Sequence, residues 1–408
     1  MQRYDTYKDS GVKWLGEIPS HWEVKRLASY FTERRVKVSD KDYEPLSVTK
    51  LGIFPQWENV AKTNDGDNRK LVKKGDFVIN SRSDRKGSSG VSDRDGSVSL
   101  INIVLQPRKT ILAQYSNYLL KSYRFIEEYY RNGRGIVADL WTTRYDEMKM
   151  IKLAIPPLKE QESIANYLDC VTAKIDAAIA QQQKMIDLLN ERKQIIINRA
   201  VTKGLNPNAK MKDSGVEWIG EVPEHWQLLP YRYLFYNLDK LRMPITADQR
   251  SRNNPQYDYY GASGVIDKID YYNVDDKVLL IGEDGANLLM RNLPLIYKAE
   301  GKFWVNNHAH ILKPIRDDYD YLAYVMEAAD YTLFITGSAQ PKLSQSNLNC
   351  VKLPIPPITE QKQIVDYLSK RTRKIDEAIS ESNKMISLLQ ERKQIIINEV
   401  VTGKVKVG

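Results

Sequence analysis

The chain contains two copies of the same sequence blocks, and this internal repeat constrains its fold more than any other feature. KDSGVKWLGEIPSHWE at 8–23 matches KDSGVEWIGEVPEHWQ at 212–227 in 11 of 16 positions. The segments 155–204 and 355–404 align without gaps and share 29 of 50 residues. Because an array of short repeats needs three or more copies, two long copies instead predict a pseudo-twofold protein made from one chain.

The segments between the repeated blocks, 28–154 and 228–354, show no comparable similarity. Alternating apolar runs predict strands, and longer periodic runs before a glycine predict helices. The predicted strands are 76–80, 97–105, 277–282 and 303–312, and the predicted helices are 115–132 and 320–335. Each of these inserts is therefore expected to form an α+β domain, and their divergence predicts two different specificities.

The block after each insert predicts one long helix. Pro156–Pro157 and Pro356–Pro357 mark the starts, and no further proline or glycine follows until Gly204 and Gly403. Apolar residues then recur at alternating spacings of four and three, which is typical of a coiled coil. These residues are Ile164, Leu168, Val171, Ile175, Ala178, Met185 and Leu189 in the first copy, and Ile364, Leu368, Ile375, Ala378, Met385 and Leu389 in the second.

Connectivity extends this prediction to the whole chain. Each helix leaves one insert, so the two inserts are expected at opposite ends of the first helix, with the second helix returning antiparallel along the apolar seam. The predicted fold class is α+β, with two globular α+β domains separated by two long antiparallel coiled-coil helices. The predicted domains are 1–154, helix 155–204, 205–354, and helix with C-terminal tail 355–408.

Charge and composition narrow the class of partner and the compartment. The 408 residues carry 61 Lys and Arg against 52 Asp and Glu, a net charge of +9 that suits a polyanion. Residues 1–200 account for +8 of this excess. The two cysteines lie far apart and no run of 18 apolar residues occurs, so the sequence predicts a cytoplasmic protein with neither a disulfide framework nor a membrane span.

Catalytic motifs are scarce. The sequence lacks a GxxxxGK[ST] phosphate loop, HExxH, GxSxG and metal-spaced cysteines. Asp139, Glu147 and Lys149 could imitate a nuclease metal site, but an ordinary charged surface is the favoured interpretation. His308 and His310 could share one face of a strand and bind a metal, although a structural or base-contacting histidine pair is favoured.

Two segments are candidates for contact with DNA. The loop 80–92 presents Arg82, Arg85 and Lys86 after a strand, and arginine commonly contacts guanine edges. Its alternative is a solvated basic loop. The segment 337–348 is rich in amide and hydroxyl side chains that could contact bases, and its alternative is turn and helix-capping chemistry.

The aromatic residues are interpreted mainly as packing. Tyrosines cluster at 257–260 and 269–273, where base stacking is possible in principle but core packing is favoured. Four tryptophans recur with the repeated blocks and are expected to pack each insert against the long helices. They are Trp14, Trp22, Trp218 and Trp226.

The blocks GEIPSHW, IPPLKEQ and ERKQIIIN, with their second copies, closely resemble the specificity (S) subunit of type I restriction-modification systems over the whole chain. This resemblance implies a non-catalytic subunit whose inserts are target-recognition domains, each recognising one half of a bipartite double-stranded DNA site. It implies that the helices space these domains and dock two adenine methyltransferase (M) subunits, with nuclease-translocase (R) subunits joining. No cofactor is expected in this chain; S-adenosylmethionine, ATP and Mg²⁺ are implied for the partners.

The resemblance also extends to recognition-domain patterns within the inserts. KKGDFVINSRSDRKGSSGVSDRDGSVS is similar to one such pattern, and YYGASGVID, LLIGEDGA, VNNHAHIL and TGSAQPKLS are similar to another. It implies DNA contacts by Arg82, Arg85, Lys86, Asn306, His308, Gln340 and Lys342. Ser344 is a further candidate because its hydroxyl group, in the segment 337–348, could contact a base edge. One departure is that residues 231–350 carry 13 basic and 15 acidic residues, which is unfavourable for binding a polyanion.

Three consecutive isoleucines near the end of each helix cover more of the helix surface than a two-helix seam needs. They are Ile195, Ile196, Ile197, Ile395, Ile396 and Ile397. We expect these residues to dock the methyltransferase subunits, with coverage by the neighbouring insert as the alternative. The competing function for the whole chain is a coiled-coil DNA-binding regulator or scaffold without enzymatic partners.

Overall fold

The computed structural model describes residues 2–56, 66–135, 141–246, 250, 255–337 and 340–407. The chain divides into two compact units, here called unit 1 (Met1–Gln183 with Asn383–Gly408) and unit 2 (Lys184–Ser382). Each unit combines one insert with part of both long helices. The domain boundaries given above, which assign the helices separately, stay a prediction.

The two long helices form as the proline and glycine positions predict. They begin directly after the Pro–Pro pairs and end next to glycines with positive φ, 70° at Gly204 and 71° at Gly403, a conformation that glycine adopts readily. The helices are α1 (Ala113–Lys121), α2 (Tyr123–Arg131), α3 (Tyr145–Met148), α4 (Leu158–Lys203), α5 (Gly285–Met290), α6 (Tyr319–Ala328), α7 (Gln345–Leu348) and α8 (Ile358–Val401).

Within unit 1 the segments of α4 and α8 pack antiparallel. Lys393 Nζ donates to Asp176 Oδ2 at 2.6 Å. Just beyond the end of α8, a Cβ placed on Gly403 would lie 3.2 Å from the ring of Trp22, whose Nε1 donates to Glu160 near the start of α4. The contact partner thus moves backward along α4 as α8 advances, which confirms the predicted antiparallel pairing.

Unit 2 repeats the same arrangement with the helices exchanged. Lys193 Nζ donates to Asp376 Oδ1 at 2.7 Å. A Cβ on Gly204 would lie 3.1 Å from Glu360 Oε1 and 3.1 Å from the ring of Trp226. The two ion pairs join equivalent residues of the repeat, so each unit contains the same helix pair.

One part of the predicted seam was wrong. Met185 and Met385 are each 48% exposed, whereas the next residue in the first helix, Ile186, is buried. Neighbouring helical residues point about 100° apart, so Met185 and Ile186 cannot both face the partner helix. The seam earlier in α4 and α8 follows the prediction, with Ile164, Leu168, Ile175, Ile364, Leu368 and Ile375 buried.

The insert of unit 1 is built from small antiparallel sheets. The strands of unit 1, with those of the preceding repeated block, are β1 (Tyr7–Asp9), β2 (Glu17–Pro19), β3 (Glu23–Arg26), β4 (Phe31–Glu33), β5 (Lys37–Val38), β6 (Leu46–Val48), β7 (Ile53–Pro55), β8 (Arg69–Val72), β9 (Phe77–Asn80), β10 (Ser89–Val91), β11 (Gly96–Ser99), β12 (Asn102–Pro107) and β13 (Lys152–Ile155). One sheet has the strand order β10-β9-β12-β4 and another the order β11-β8-β5, while β13 pairs with β3 where the chain returns to the helix.

The insert of unit 2 is organised around one six-stranded sheet. The strands of unit 2, with those of the preceding repeated block, are β14 (Met211–Asp213), β15 (Glu221–Pro223), β16 (Gln227–Pro230), β17 (Phe235–Asn237), β18 (Tyr257–Gly261), β19 (Gly264–Ile269), β20 (Val274–Gly282), β21 (Ile296–Val305), β22 (Ala309–Pro314), β23 (Ile335–Thr336), β24 (Lys342–Leu343) and β25 (Lys352–Ile355). The six-stranded sheet has the order β17-β22-β20-β21-β18-β19 and is antiparallel except between β18 and β21. Tyr259 and Tyr260 of β18 are buried, which confirms core packing for this tyrosine cluster.

Several predicted elements are interrupted. The run 303–312 forms the end of β21, a turn and the start of β22, and the run 97–105 is divided between β11 and β12. The predicted helix 115–132 is divided at Ser122, whose extended backbone ends α1 and whose Oγ accepts a hydrogen bond from Phe125 N at the start of α2. Serine competes for backbone hydrogen bonds in this way and so favours helix caps.

Across the described ranges, no helix is long and apolar enough to cross a membrane.

The helix seam predicts a large difference between two leucines of α4. Leu168 is fully buried in the unit 1 core and Leu188 is 52% exposed. We expect Leu168→Ala to lower the free energy of unfolding by about 2–5 kcal/mol, because it leaves a cavity. Leu188→Ala, its control, should change it by no more than ~0.5 kcal/mol. Urea unfolding of the full chain measures both, and equal effects would contradict the described seam.

Candidate nucleic-acid interface

The repeated block that precedes each insert is bound to the start of a long helix by one carboxylate. In unit 1, Glu160 accepts hydrogen bonds from Trp22 Nε1 at 3.1 Å and from Tyr4 Oη at 2.6 Å, and it pairs with His21 at 2.7 Å. In unit 2, Glu360 accepts from Trp226 Nε1 at 3.1 Å and pairs with His225 at 2.8 Å. Trp22 and Trp226 are buried in the cores that include the helices, which confirms their predicted packing role.

In unit 1 the end of β9 positions the predicted basic loop. The Oδ1 atom of Asn80 accepts from Arg82 N at 3.0 Å. Tyr130 of α2 donates its hydroxyl to the carbonyl oxygens of Asn80 and Arg82, both at 3.1 Å. The backbone is therefore held from the interior, while the side chains of Arg82 and Arg85 remain exposed.

The three predicted basic residues of this loop differ in availability. Arg85 is 69% exposed and lies 3.7 Å from Asp84, a weak surface pair. Lys86 Nζ pairs with Glu127 at 2.7 Å and lies over the ring of Tyr130. Arg82 and Arg85 are thus better placed than Lys86 to meet a phosphate or a guanine edge, and the role of all three in binding DNA stays a prediction.

The structure brings a further arginine to this loop. Arg134 exchanges two backbone hydrogen bonds with Thr142, at 2.9 and 3.0 Å. Thr142 also forms an antiparallel bridge with Arg82. The side chain of Arg134 is 84% exposed and its Nε lies 3.4 Å from Glu147. No sequence pattern linked Arg134 with Arg82, because the two residues are far apart in the chain.

In unit 2 the four recognition-like segments meet where β20 ends and β22 begins. Glu283 N donates to the His308 carbonyl at 2.8 Å, and Leu343 N donates to the Glu283 carbonyl at 2.9 Å. Asn306 N donates to the Tyr260 carbonyl at 3.1 Å. A Cβ on Gly282 would lie 2.5 Å from Ala262 O, so glycine is required for this close approach.

The charged side chains beyond the end of β20 are paired in a partly exposed cluster. Glu283 accepts from Arg242 Nη1 at 2.8 Å and lies 3.4 Å from Lys342 Nζ. Asp284 lies 3.4 Å from His308 Nδ1. Burial alone would raise the pKa of Glu283, but the hydrogen bond and positive charge of Arg242 lower it below its usual value. Glu283 therefore serves as an ionised anchor for the cations around it.

The predicted residues of unit 2 occupy different environments. Asn306 is 8% exposed, and its Oδ1 accepts from His308 N at 2.8 Å. Ser344 Oγ accepts from Asn347 N at 3.2 Å and caps α7. Asn306 and Ser344 thus shape the backbone in this structure, whereas Gln340 is exposed and His308 and Lys342 are partly exposed. Their contacts with DNA stay predictions.

The two histidines do not act as a pair. His310 is 1% exposed and its ring is held between Asp239 at 2.6 Å and the Leu343 carbonyl at 2.8 Å, whereas His308 is 45% exposed. Within the part of the chain that the structure describes, no group of three potential metal ligands occurs. The structural interpretation favoured from the sequence therefore fits His310.

Two of the three residues that could imitate a nuclease metal site, Glu147 and Lys149, make common surface contacts. Glu147 Oε2 accepts from Arg144 N at 3.1 Å at the start of α3. Lys149 Nζ pairs with Asp146 at 2.6 Å on the surface. Asp139 lies outside the described residues. The contacts of Glu147 and Lys149 fit the charged-surface interpretation.

The isoleucine triplets are mostly covered within their own units. Ile197, Ile396 and Ile397 are buried, and Ile196 is partly buried against the unit 2 core. Ile195 and Ile395 are 59% and 48% exposed. Coverage within the unit, the alternative to docking, therefore applies to Ile197, Ile396 and Ile397 and in part to Ile196, while docking itself stays a prediction. Ile195 and Ile395 remain candidates.

Comparisons with known proteins agree with this architecture. The family model described as "Type I restriction modification DNA specificity domain" matches residues 19–186 and 235–385. The chain therefore belongs to the type I restriction-modification specificity family, and it is a DNA-specificity subunit with two recognition domains. The alternative of a regulator outside such systems is not favoured.

Two relatives and one solved structure illustrate the similarity. The type I restriction enzyme MjaVIII specificity subunit of Methanocaldococcus jannaschii is 23% identical over 98% of this chain and 97% of its own length. The EcoKI specificity subunit of Escherichia coli is 23% identical over 52% of this chain and 47% of its own. A solved chain from a study of complex assembly and conformational transition of the type I R-M system has 13% identity and a TM-score of 0.69, covering 95% of this chain and 99% of that one. This last likeness concerns the fold.

The histidines of unit 2 give a test of their separate roles. We expect His310→Ala to lower the free energy of unfolding by about 1–3 kcal/mol, because Asp239 would be left without its buried partner. His308→Ala should change it by less than ~0.5 kcal/mol. The hydrogen bond with His310 holds the pKa of Asp239 below its ordinary value, although burial opposes this shift.

The same hydrogen bond predicts a pH dependence. Because the pKa of Asp239 is lowered on folding, its contribution should be complete above pH ~4 and should disappear as the pH falls through the depressed value. Urea unfolding of both variants at neutral and acidic pH measures this effect. Equal destabilisation by the two substitutions would contradict the structural role of His310.

Proposed function

We propose that unit 1 recognises one half, and unit 2 the other half, of an asymmetric bipartite site in double-stranded DNA. The observation that carries this proposal is that both units repeat the same helix pair and the same Trp–Glu anchor, yet present different side chains at the ends of β9 and β20. Arg82 and Arg85 lie at the first, and Asp284 with His308 and Lys342 at the second. Different hydrogen-bonding groups select different base edges.

In this proposal the chain contributes recognition and its partners contribute catalysis. Two adenine methyltransferase (M) subunits would use S-adenosylmethionine, and nuclease-translocase (R) subunits would use ATP and Mg²⁺. The membership of the chain in a specificity family supports this division of roles.

The net negative charge of residues 231–350 is consistent with a DNA interface that this chain shares with the methyltransferase subunits. Acidic groups near the candidate surface are engaged: Glu283 with Arg242 and Lys342, and Asp239 with His310. Near this surface, within the described part of unit 2, the cations Arg242 and Lys342 are themselves paired with Glu283. Much of the attraction to phosphates would then come from the methyltransferase subunits, since phosphate contacts dominate the electrostatic part of affinity.

The basic loop predicts an effect restricted to one half-site. In the complex with the methyltransferase subunits, Arg82→Ala and Arg85→Ala should each weaken binding by about 1–3 kcal/mol for each base that the arginine recognises, through the first half-site alone. Arg94→Ala is the matched control, since Arg94 is exposed and ion-paired but lies beyond β10, at the opposite end of β9. Competition with duplexes altered in one half-site measures the effect, and reduced discrimination at both half-sites would contradict the proposal.

Methyltransferase docking on the helix ends is the second part of the proposal. Ile195 is exposed beside Leu289 and Trp218 along a groove of unit 2. In unit 1, Ile395 lies one turn from Asn398, which accepts a hydrogen bond from Arg124 N next to the exposed Tyr123. An exposed apolar patch at an equivalent position of each unit suits two copies of one partner.

The double variant Ile195→Asp, Ile395→Asp should release both methyltransferase subunits, because charge would enter the buried part of each interface. The control Leu51→Asp, Val265→Asp places the same charges on exposed apolar positions elsewhere. Native mass measurement of the assembled complex gives the stoichiometry. A variant that keeps both methyltransferase subunits would reject this docking surface.

A further inference from the structure

The two inserts share a hydrogen-bonded arrangement that their sequences do not reveal. In unit 1, Ser83 N donates to the Trp141 carbonyl at 3.1 Å and Thr143 N donates to the Ser81 carbonyl at 3.0 Å. These two bonds flank the bridge between Arg82 and Thr142. The segment that contains Thr142 therefore pairs with the chain just beyond the end of β9.

Unit 2 has the same pair of bonds at the end of β20. Gly285 N donates to the Pro341 carbonyl at 2.7 Å and Leu343 N donates to the Glu283 carbonyl at 2.9 Å. These bonds flank the bridge between Asp284 and Lys342. A short helix follows in both cases, α3 in unit 1 and α7 in unit 2, and then β13 or β25.

A third residue completes the arrangement in each unit. Thr142 also pairs with Arg134, and Lys342 also pairs with Thr336 of β23. Each unit thus has a row of three cross-strand neighbours, Arg82–Thr142–Arg134 in unit 1 and Asp284–Lys342–Thr336 in unit 2. We call these rows the unit 1 triad and the unit 2 triad. Directly opposed residues of antiparallel strands have side chains on the same face.

The position and size of each triad suit the major groove of DNA. Neighbouring opposed residues are about 4.5–5.5 Å apart, so three of them extend over ~10 Å. That length corresponds to about three base pairs at ~3.4 Å per step. The groove admits a two-stranded β-ribbon, and the second and third residues of each triad are paired as opposed residues in such a ribbon are. All six side chains are exposed or partly exposed.

The chemistry of the two triads is different although their backbones correspond. The unit 1 triad carries two arginines, which suit guanine O6 and N7. The unit 2 triad carries one acidic side chain, Asp284, and one basic side chain, Lys342. Phosphates repel a carboxylate beside DNA, so such a carboxylate needs a hydrogen-bond donor that offsets the repulsion. The N4 amino group of cytosine is the base donor from which acidic side chains accept.

From this arrangement we infer that the two triads are equivalent specificity-determining positions, and that Asp284 selects cytosine in the half-site of unit 2. Arg134 and Thr336 thereby join the recognition surface. This inference rests on the proposed function, since it assigns residues within the surface of each unit. It makes recognition depend on three positions of a constant backbone arrangement.

The test uses the full chain assembled with its methyltransferase subunits and a duplex library randomised at every position. Wild-type selection first defines the two half-sites. Arg134→Ala should reduce the preference for guanine at one position of the first half-site by about 5–150-fold, which is the discrimination that one bidentate side chain provides. Arg134→Lys should recover part of that preference, because lysine keeps the charge but not the planar fork.

Asp284→Asn should change the second half-site alone, from cytosine toward adenine at one position, because an amide pairs with adenine N6 and N7. Asp275→Asn is the matched control, since Asp275 is an exposed acid near the opposite end of β20. Neither Asp275→Asn nor Arg94→Ala should alter any base preference. Urea unfolding of each variant confirms that the fold is retained.

The outcomes separate this inference from the proposed function. A bipartite wild-type preference that Arg134→Ala and Asp284→Asn leave unchanged, or weaken equally for all sequences, would overturn the triads and keep the proposed function. A wild-type preference without two half-sites, or a unit 1 variant that alters both half-sites, would overturn the proposed function itself.

Discussion

The contact between the repeated tryptophan and the glutamate at the start of each long helix holds the rest of each unit in place. Trp22 and Trp226 bury large aromatic surfaces while donating to Glu160 and Glu360. A carboxylate in the first turn of a helix also interacts favourably with the helix dipole. The same contact lies beside the glycine that follows the opposing helix, Gly403 in unit 1 and Gly204 in unit 2. One interaction therefore holds together the strands that precede the insert, the start of one long helix and the end of the other.

The repeated blocks were predictable because local rules determine them. Proline at the helix starts, glycine beyond the helix ends and the four-three apolar spacing each act within a few residues. In the structure each long helix begins directly after its proline pair and ends within two residues of its glycine. The apolar run 303–312 was harder, because its turn at Asn306 depends on a side-chain hydrogen bond to His308 N that alternation cannot show. Periodicity alone also could not decide between Met185 and Ile186 where polar residues interrupt the seam.

The candidate surfaces were predictable only in part, and the reason is their distance in sequence. Arg82 and Arg85 follow a strand in a polar loop, which is a local signal. Arg134 is brought to Arg82, 52 residues earlier in the chain, because Thr142 pairs with both residues, and Asp284 pairs with Lys342, 58 residues later. The unequal environments of His308 and His310 likewise depend on a distant contact, because His308 lies in the turn before β22 whereas His310 is buried against Asp239.

A constant backbone with variable side chains explains how two dissimilar inserts can serve one kind of task. Backbone hydrogen bonds do not depend on side-chain identity, so the bonds around Arg82–Thr142 and Asp284–Lys342 can persist while charge changes from two cations to a neutral set. Phosphate contacts vary little with sequence, whereas base contacts depend on the donor and acceptor at each position. Specificity can therefore change through a few exposed residues without disturbing the buried anchors, since the anchors lie at the starts of α4 and α8 whereas the exposed positions lie at the ends of β9 and β20.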